Sequence, residues 1–529
     1  MSQMLKSSGA LAAATMTSRI LGMVREMAYA GFMGVGWVTD AFMMAFMVPN
    51  LFRRLLGEGA LTASFIPIFK EKEKLAGEAE MWRASNAVIS GLVVATAAVV
   101  ALGAAGVSVA LATVNFEGRE ETRLMLELLR VMSPYVLLVC LAAILMGMCN
   151  ARGHFFVPAM GATTLNVVMI ASVFLLTPLF GRELHERIFG LAVGVLIAGV
   201  VQAAFQWPVL RGEGFRYQWV TPWSDDTVRR VVQQMVPGVV GVAAFQINML
   251  ITQGIAYFVE KGVVSAFGFA VRLMELPQGV FGLSLATYLL PTLSGLATEK
   301  KFPEFRDTLR QGVSYLVFVN LLASVLLVVL AEPIMRLLFE RGRFDAVATV
   351  RSSQALMCLA PGLVMFSTVN LLVRGFYALG DMKTPMKISI VCLTLNVVLS
   401  ASLLWEFKER GLGLANTLTV CVNVTLLVFA FRRKMPKLDF GELRRQMPVL
   451  LSAAAAAGLM AWGLARLWEA RLGHTNLALK LGAVFVPALP ACAAYYALAW
   501  WCKIPSARDV MELALGKLRR LRPPASRQQ

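Results

Sequence analysis

The stretch VVATAAVVALGAAGVSVALA at residues 93–112 contains no charged side chain and is rich in Ala, Val and Gly. About 20 apolar residues in a helix cross the roughly 30 Å hydrocarbon core of a bilayer. The run LAVGVLIAGVVQAAFQ at residues 191–206 has the same continuous character. A membrane barrel would instead show segments of about ten residues in which polar and apolar side chains alternate. Both runs therefore predict membrane-spanning helices.

This composition extends along the whole chain. Hydrophobic residues make up 58% and charged residues only 16% of the 529, and the mean hydropathy is +0.67. A soluble domain carries more charge on its surface, so a soluble enzyme is excluded. We predict an all-α polytopic membrane protein with about fourteen transmembrane helices. The predicted spans lie near 8–34, 38–69, 85–114, 124–149, 157–180, 188–210, 231–258, 264–296, 312–338, 352–379, 385–405, 411–431, 448–468 and 478–501.

Lysine and arginine are unevenly distributed among the loops that join these spans. The segments KEKEK at 70–74 and FRRKMPK at 431–437, the loops at 211–230 and 300–310, and the tail from Lys503 all fall on one side of the membrane. Cytoplasmic loops carry such an excess of positive charge. The asymmetry predicts that both termini are cytoplasmic, and it explains the net charge of +18 without nucleic acid.

Two distant stretches of the chain resemble each other. ARGHFFVPAMGATTLNVV at 151–168 and ALGDMKTPMKISIVCLTLNVV at 378–398 each have a glycine five residues before a proline and a later LNVV. LTASFIPIF at 61–69 is similarly echoed by LATYLLPTL at 285–293. An even number of predicted helices separates the copies, as in transporters built from parallel repeats. Chance similarity between apolar helices is the alternative.

The repeat predicts two six-helix lobes followed by two further helices. The predicted division is an N-lobe at 1–222, a C-lobe at 223–437, two C-terminal helices at 438–505 and a basic cytoplasmic tail at 506–529. The tail has an apolar helical stripe, which predicts that it lies on the anionic inner leaflet. Docking of a partner protein is the alternative for this tail.

Charged residues inside the first spans are candidate functional residues, because charge in a bilayer is costly unless it faces water or a partner. Arg19 and Arg25 lie three residues either side of Gly22, which puts both on one sector of the first helix. The second span contains Asp40 and then PNLFRRLLGEG at 49–59. Both arginines of the first helix are therefore expected to face one cavity.

Further charges follow in the second and eighth spans. Arg53, Arg54 and Glu58 come after Pro49, which can bend the second helix. In the eighth span the charged residues Arg272 and Glu275 have the i, i+3 spacing that allows them to pair with each other. For any one of these residues, the alternative is a long side chain that reaches the headgroups, as Arg374 also can.

Taken together, these residues have an excess of positive charge. Five arginines stand against three acids. Since charge is most costly in this part of the chain, we expect an anionic ligand as the remaining counterion. A planar guanidinium donates paired hydrogen bonds to phosphate. The set therefore predicts a substrate that carries phosphate or diphosphate.

The sequence contains no nucleotide-binding GxxxxGK[ST] loop and no HExxH or GxSxG motif. We therefore expect no ATP hydrolysis, no catalytic residue and no cofactor. An interior-negative membrane potential favours outward movement of an anion by about 2.3 kcal/mol per charge per 100 mV. The energy source is predicted to be this potential or a coupling cation. Asp381 and Asn396 are possible cation ligands, although Asp381 is better explained as a helix cap.

Histidine and cysteine do not indicate a metal site. His154, His185 and His474 lie far apart at the ends of spans. The seven cysteines fall within or beside apolar runs and include no CxxC pair. We interpret the cysteines as packing residues rather than disulfides or metal ligands.

Several of these segments together resemble a known family. They are SRILGMVREM at 18–27, TDAFMMAFMVPNLFRRLLGEGALTASFIPIF at 39–69, RLMELPQGVFGLSLATYLLPTLS at 272–294 and the ALGDMKTP turn. Over essentially the whole chain they resemble the MurJ (MviN) lipid II flippases of the multidrug/oligosaccharidyl-lipid/polysaccharide exporter superfamily.

The resemblance implies a transporter of the bacterial inner membrane that moves an undecaprenyl-diphosphate-linked peptidoglycan precursor outward by alternating access. It implies lipid II as the substrate, membrane lipids as surroundings and cell-wall synthesis proteins as possible partners. It also implies that the two C-terminal helices help to form a groove for the polyprenyl tail.

The resemblance also implies roles for individual residues. Arg19, Arg25, Arg53 and Arg272 would line a cationic cavity, while gating or cavity shape would depend on Asp40, Arg54, Glu58 and Glu275. Members of the family often have an acid just before the arginine of the eighth span. Here that position is Val271, which puts any role of that acid in doubt for this chain.

Three other functions are less consistent with the sequence. A drug or metabolite antiporter of the same superfamily usually has twelve spans and holds cations with acidic residues, whereas the charge here is positive. A membrane scaffold that regulates wall synthesis would not need arginines inside its spans. A membrane enzyme would need a nucleophile or a metal cluster, and the sequence suggests neither.

Overall fold

The computed structural model describes residues 2–55 and 61–508, and all regular secondary structure within these ranges is helical. The helices are α1 (Ser2–Met33), α2 (Trp37–Phe52), α3 (Leu61–Thr113), α4 (Glu120–Met132), α5 (Tyr135–Ala151), α6 (Phe156–Leu175), α7 (Leu184–Gly212), α8 (Asp226–Val259), α9 (Val263–Pro277), α10 (Ser284–Thr298), α11 (Phe302–Val329), α12 (Ala331–Phe339), α13 (Ala346–Leu359), α14 (Leu363–Ala378), α15 (Lys383–Lys434), α16 (Gly441–Arg471) and α17 (Leu477–Trp501).

The predicted spans fall on these helices, but not one to one. The span at 38–69 includes residues 56–60, which lie outside the described residues, and two helices share each of the spans at 124–149, 264–296, 312–338 and 352–379. Within the described ranges, nine helices are long and apolar enough to cross a membrane, or ten if the bent pair of α4 and α5 counts as one span. The helical membrane class is therefore confirmed, and the count of fourteen stays a prediction. The counts differ partly because α15 contains two predicted spans, and its backbone breaks between them at Lys408 with φ 51°.

Tight turns bring consecutive segments of the long helices together. In α3 the helix is interrupted at Gly77, whose φ of 83° lies in the left-handed region that glycine tolerates. In α15 the turn at Lys408 places Gly411 directly against the backbone of Leu403, where a side chain has no room. Each interruption lets one long run of helix reverse direction or bend at the end of a span.

The chain divides into two compact units. The first contains the residues up to Ser265 together with Arg341–Asp345, and the second contains Ala266–Glu340 and the chain from Ala346 onward. The units divide at Ser265 because α8 packs against α2 and α3 of the first unit. The lobes predicted at 1–222 and 223–437, and the separate C-terminal helices, stay predictions.

The first unit is built around α1, α5, α6 and α7. Helix α6 packs against α1 and α7, and α5 packs against α7 and α3. The buried core includes Phe42, Leu128, Met132 and Tyr135. This packing fixes the position of α1, the helix that carries Arg19 and Arg25.

The second unit includes the C-terminal helices. Helix α16 packs against both α17 and α11, and α14 packs against α10, α11 and α15. The Tyr495 hydroxyl donates to the carbonyl of Phe318 at 2.9 Å, and the rings of Phe376 and Phe431 lie 4.4 Å apart. The last two helices therefore share a core with α11.

The two similar stretches have the same local structure in their respective units. Gly153 and Gly380 both adopt positive φ, at 89° and 72°. The next amides, of His154 and Asp381, each donate to the carbonyl five residues earlier, at 2.9 and 3.0 Å. This is the hydrogen bond of a Schellman helix end, which requires a left-handed residue just before it.

A side chain of each turn also contacts the end of a later helix. The turn contributes the basic side chain in the first case and the acidic one in the second. The His154 ring lies 2.8 Å from Glu213 at the end of α7, and Lys434 at the end of α15 donates to Asp381 at 2.7 Å. His154 and then Arg152 lower the pKa of Glu213 from its usual range. Asp381 also accepts from the amide and hydroxyl of Thr384 at 3.0 and 2.7 Å, so its expected capping role is confirmed.

Replacement of Asp381 by Asn should destabilise the protein by up to about 1 kcal/mol at neutral pH, because Asn can still cap the helix but loses the negative charge that pairs with Lys434. Lys434 and Thr384 hold the pKa of Asp381 well below its usual value. A carboxylate with a lowered pKa stabilises the fold above its unfolded pKa, and this contribution is lost as the pH falls. The difference in thermal midpoint from wild type should therefore be constant above about pH 5 and shrink below about pH 4.

Thermal unfolding of the purified protein across this pH range tests the expectation. The Lys434→Met variant is the control, since Asp381→Asn should have a smaller effect in that background. A difference in midpoint that stayed the same at every pH would contradict this role for the carboxylate.

Candidate functional site

Arg25 is held by three neighbours in the first unit. Its guanidinium donates to Asn166 Oδ1 at 3.0 Å and to Glu26 Oε1 at 2.5 Å, and it lies 5.5 Å from the centre of the Tyr29 ring. The Arg25 side chain is 18% exposed. A guanidinium has five N–H donors, so these contacts orient the group without using all of them. Arg19, two turns earlier on α1, is half-buried.

Two of these partners were not predicted from the sequence. Glu26 is a buried carboxylate that directly follows Arg25, and Asn166 is a buried amide of the LNVV run in α6. The signal for Glu26 was present, because a second charge beside Arg25 in an apolar helix is as costly as the first. Asn166 gave no such signal, since only the packing of α6 on α1 brings it to Arg25.

Arg53 is the next predicted arginine along the chain. It follows α2, whose last turn contains Pro49, and it starts a short π-helical turn at residues 53–55. Its Nε donates to Asn50 Oδ1 at 2.9 Å. Arg54 is half-buried beside Arg53, whereas Glu58 lies outside the described residues.

A row of four aromatic rings runs from α1 through α2 to α5. Ring centres are 6.2 Å apart for Tyr29 and Phe42, 6.1 Å for Phe42 and Phe46, and 6.0 Å for Phe46 and Tyr135. The row begins at the ring beside Arg25. It forms an apolar wall, and electrostatic interactions are stronger next to such a wall than in water.

Asp40 accepts hydrogen bonds from backbone amides at the start of α9. Its side chain is buried and accepts from the amide of Gly262 at 2.5 Å and from the amide of Ser265 at 2.8 Å. These amides belong to the first turn of α9 and the residue before it, where a helix leaves its N–H groups without internal partners. Asp40 therefore caps α9 from α2, and the amide of Gly36 adds a bond to Ser265 Oγ at 3.3 Å.

The turn between α1 and α2 also holds the segment 341–345. The amide of Arg343 donates to the carbonyl of Gly31 at 3.0 Å. Gly34 and Gly342 adopt φ values of 61° and 58°, and a side chain at either would collide with the facing backbone. The end of α1, the turn that follows it and the start of α2 are thus bonded to two separate segments of the first unit, the start of α9 and the segment 341–345.

In the second unit, Arg272 and Glu275 pair with each other at 2.9 Å, as their spacing allows. Their side chains are 45% and 46% exposed. The helix that carries them ends at Pro277 and continues as a π-helical segment, Gln278–Leu283. Arg374 donates to the hydroxyl of Thr287 at 3.1 Å.

The described residues contain no group of three or more His, Cys, Asp or Glu side chains that could hold a metal ion. Of the two suggested cation ligands, Asp381 accepts from Lys434 and Thr384. Asn396 is buried and donates to the hydroxyl of Thr419 at 3.4 Å.

The sequence model of one protein family, described as lipid II flippase MurJ, matches residues 29–481. The chain belongs to the MurJ family. A probable lipid II flippase MurJ from Vibrio cholerae is 31% identical over 480 residues, which cover 88% of this chain and 89% of that protein. One from Bdellovibrio bacteriovorus is 32% identical over 505 residues, which cover 94% of each.

Solved structures show the same fold. A lipid II flippase MurJ in an inward closed conformation matches with a TM-score of 0.74 at 22% identity, over 92% of this chain and 98% of that one. An inward-facing MATE multidrug transporter of the MOP superfamily matches with a TM-score of 0.66 at 13% identity, over 81% of this chain and 98% of that one. At these identities the similarity concerns the fold alone.

Membership of the MurJ family confirms the resemblance found in the sequence. It places the chain among multi-pass membrane transporters and not among enzymes. The MurJ family and the MATE proteins share a fold, so the fold does not choose between an anionic and a cationic substrate. That choice depends on the charged side chains described above.

Replacement of Asp40 by Asn should destabilise the protein by roughly 2 kcal/mol, the usual range for bonds to a charged group. The amide retains only one acceptor oxygen, so it can serve only one of the two backbone N–H groups of α9 well. Thermal unfolding of the purified protein measures the change.

Glu275→Gln is the control for Asp40→Asn, because the pair of Glu275 with Arg272 is exposed and contributes at most about 1 kcal/mol. If both variants unfolded at the wild-type temperature, the capping role of Asp40 would be disproved.

Proposed function

We propose that this chain moves lipid II, the substrate named in its family, from the inner to the outer leaflet of the bacterial plasma membrane. The observation that carries the proposal is Arg25, an arginine in a membrane helix whose guanidinium is oriented by a neutral amide and by one carboxylate. Family membership supports the identity of the substrate, and the charge supports a diphosphate-bearing one.

The diphosphate would bind Arg25 by replacing Glu26. A single carboxylate offers one negative charge, whereas a diphosphate offers more charge and more acceptor oxygens for the guanidinium fork. Glu26 would neutralise Arg25 while no substrate is bound, which avoids an unpaired charge in the membrane. The exchange makes binding reversible, as transport requires.

The other predicted arginines would add to this binding. Arg19 shares the sector of α1 with Arg25, and Arg53 directly follows the last turn of α2. Arg272 is also proposed to bind substrate, once it is released from Glu275. Arg54 and Glu58 would shape the end of the second predicted span.

Alternating access would depend on the turn between α1 and α2. Because both termini are proposed to be cytoplasmic, α1 runs outward and this turn lies on the outer side of the membrane. Asp40 bonds this region to the start of α9, and Gly31 bonds it to the segment 341–345. Outward opening would require these bonds to break, which gives Asp40 its proposed gating role.

The membrane potential would drive export of the anionic lipid, at about 2.3 kcal/mol per charge per 100 mV. A coupling cation is the second candidate. Neither source needs an additional cofactor.

The C-terminal segments would serve the lipid part of the substrate and the membrane surface. Helices α16 and α17 pack on each other and expose Leu459, Phe485 and Leu489, apolar side chains suited to a polyprenyl tail. The basic tail at 506–529, most of which lies outside the described residues, would lie on the anionic inner leaflet. Proteins of cell-wall synthesis are proposed as partners on that surface.

Replacement of Arg25 by Ala should abolish transport, because it removes the guanidinium and leaves the buried carboxylate of Glu26 without this charge to repel the diphosphate. Transport is measured as the lipid-linked precursor that becomes accessible in the outer leaflet of proteoliposomes with an imposed potential. Arg25→Lys should retain partial activity, since a lysine keeps the charge and loses the paired hydrogen bonds. Arg374→Ala is the matched control, a span arginine that should be dispensable.

Wild-type transport by a correctly inserted Arg25→Ala variant would refute the proposal. Equal losses in the Arg25→Ala and Arg374→Ala variants would also refute it, because any span arginine would then have the same effect. An exporter of cationic drugs would show no transport of the lipid-linked diphosphate even in the wild type.

A further inference from the structure

We infer that Asn166 is a positioning residue that sets the direction of the Arg25 guanidinium and thereby the place where the diphosphate of the substrate binds. The inference rests on the proposed function and extends it to a residue of a different helix. Its evidence is the pair of bonds that Asn166 makes to α1.

Asn166 bonds α1 at two points. Its Oδ1 accepts from Arg25 Nη1 at 3.0 Å, and its Nδ2 donates to the carbonyl of Ser18 at 3.1 Å. Ser18 and Arg25 are two helical turns apart, and the long side chain of Arg25 reaches back along the helix toward Ser18. One amide thus spans the distance between a fixed backbone atom and a mobile guanidinium.

Only an amide of this length satisfies both contacts. The position needs an acceptor for Arg25 and a donor for the Ser18 carbonyl, and Asn provides both in one neutral group. A carboxylate lacks the donor, and a hydroxyl cannot reach two points so far apart. Asn166 is 5% exposed, so water does not readily replace either bond.

The surface of α1 beneath Asn166 leaves room for this arrangement. Gly22 lies between the two contact points, and a Cβ there would stand 3.7 Å from Asn166 Nδ2. That is ordinary van der Waals distance, so the amide packs against α1 at this point without a clash.

Asn166, the neutral partner of Arg25, can keep its hydrogen bond to Arg25 throughout transport. Glu26 and the substrate diphosphate compete for Arg25 because both are anions. Asn166 does not compete, since it cannot neutralise the guanidinium. Its bond can therefore hold Arg25 in one direction while the anion on the other side changes, which is the role of a supporting residue at a binding site.

The repeat supplies a matched control. Asn396 occupies the same place in the second LNVV run and is similarly buried, at 7%. Its described hydrogen bond goes to the hydroxyl of Thr419 and not to an arginine. Replacement of either asparagine by Ala removes a buried amide, but only the change at Asn166 removes a support of Arg25.

Transport by Asn166→Ala and Asn396→Ala is compared at several concentrations of lipid-linked diphosphate in proteoliposomes. Asn166→Ala should raise the apparent KM about tenfold, corresponding to about 1.4 kcal/mol, with a smaller change in maximal rate. Asn396→Ala should leave KM unchanged. In the Arg25→Lys background, Asn166→Ala should have a much smaller effect than in the wild type, because the two residues act together.

Asn166→Asp keeps the size of the side chain and the acceptor for Arg25, so it addresses the case in which Asn166→Ala does not fold. The added carboxylate would compete with the diphosphate and should also raise KM. An unchanged KM in either correctly folded variant, or an equal rise in Asn396→Ala, would overturn the inference. If Arg25→Ala lost transport while either of these two results was obtained, only the role of Asn166 would be rejected. The proposed function would then still hold.

Discussion

The structure depends on one constraint, which is that a guanidinium inside a membrane helix must have partners. Arg25 meets this constraint through Glu26 and Asn166, from its own helix and from α6. Both partners are buried. The packing of α6 on α1 brings Asn166 to this position.

The same principle explains how the opposite end of α1 is organised. Backbone N–H groups at the start of a helix need acceptors, and a buried carboxylate provides a strong one. Asp40 satisfies the start of α9, while Gly31 accepts from Arg343. Helix α1 thus carries the arginine proposed to bind the substrate, and the turn after it is bonded to the start of α9 and to the segment 341–345. Under the proposed function, this helix would link binding to opening.

Much of this could be predicted from the sequence, and the exceptions have physical reasons. The helices and the family were predictable because apolar runs and local motifs are contiguous, and the local pairs of Arg272 with Glu275 and Asp381 with Thr384 lie within three residues. The partners of Arg25 and Asp40 were not predictable in the same way. Asn166 and Gly262 are 141 and 222 residues away from them, and only packing brings them together.

The central claim is that the positive charge of the first unit binds the diphosphate of the substrate. Binding of three lipids to the purified wild-type protein tests it most directly: a polyprenyl diphosphate, the matching monophosphate and the uncharged alcohol. The account predicts that affinity decreases in that order by about tenfold at each step and weakens with added salt. Equal affinity for the three lipids would show that the polyprenyl tail alone is recognised and would contradict the account.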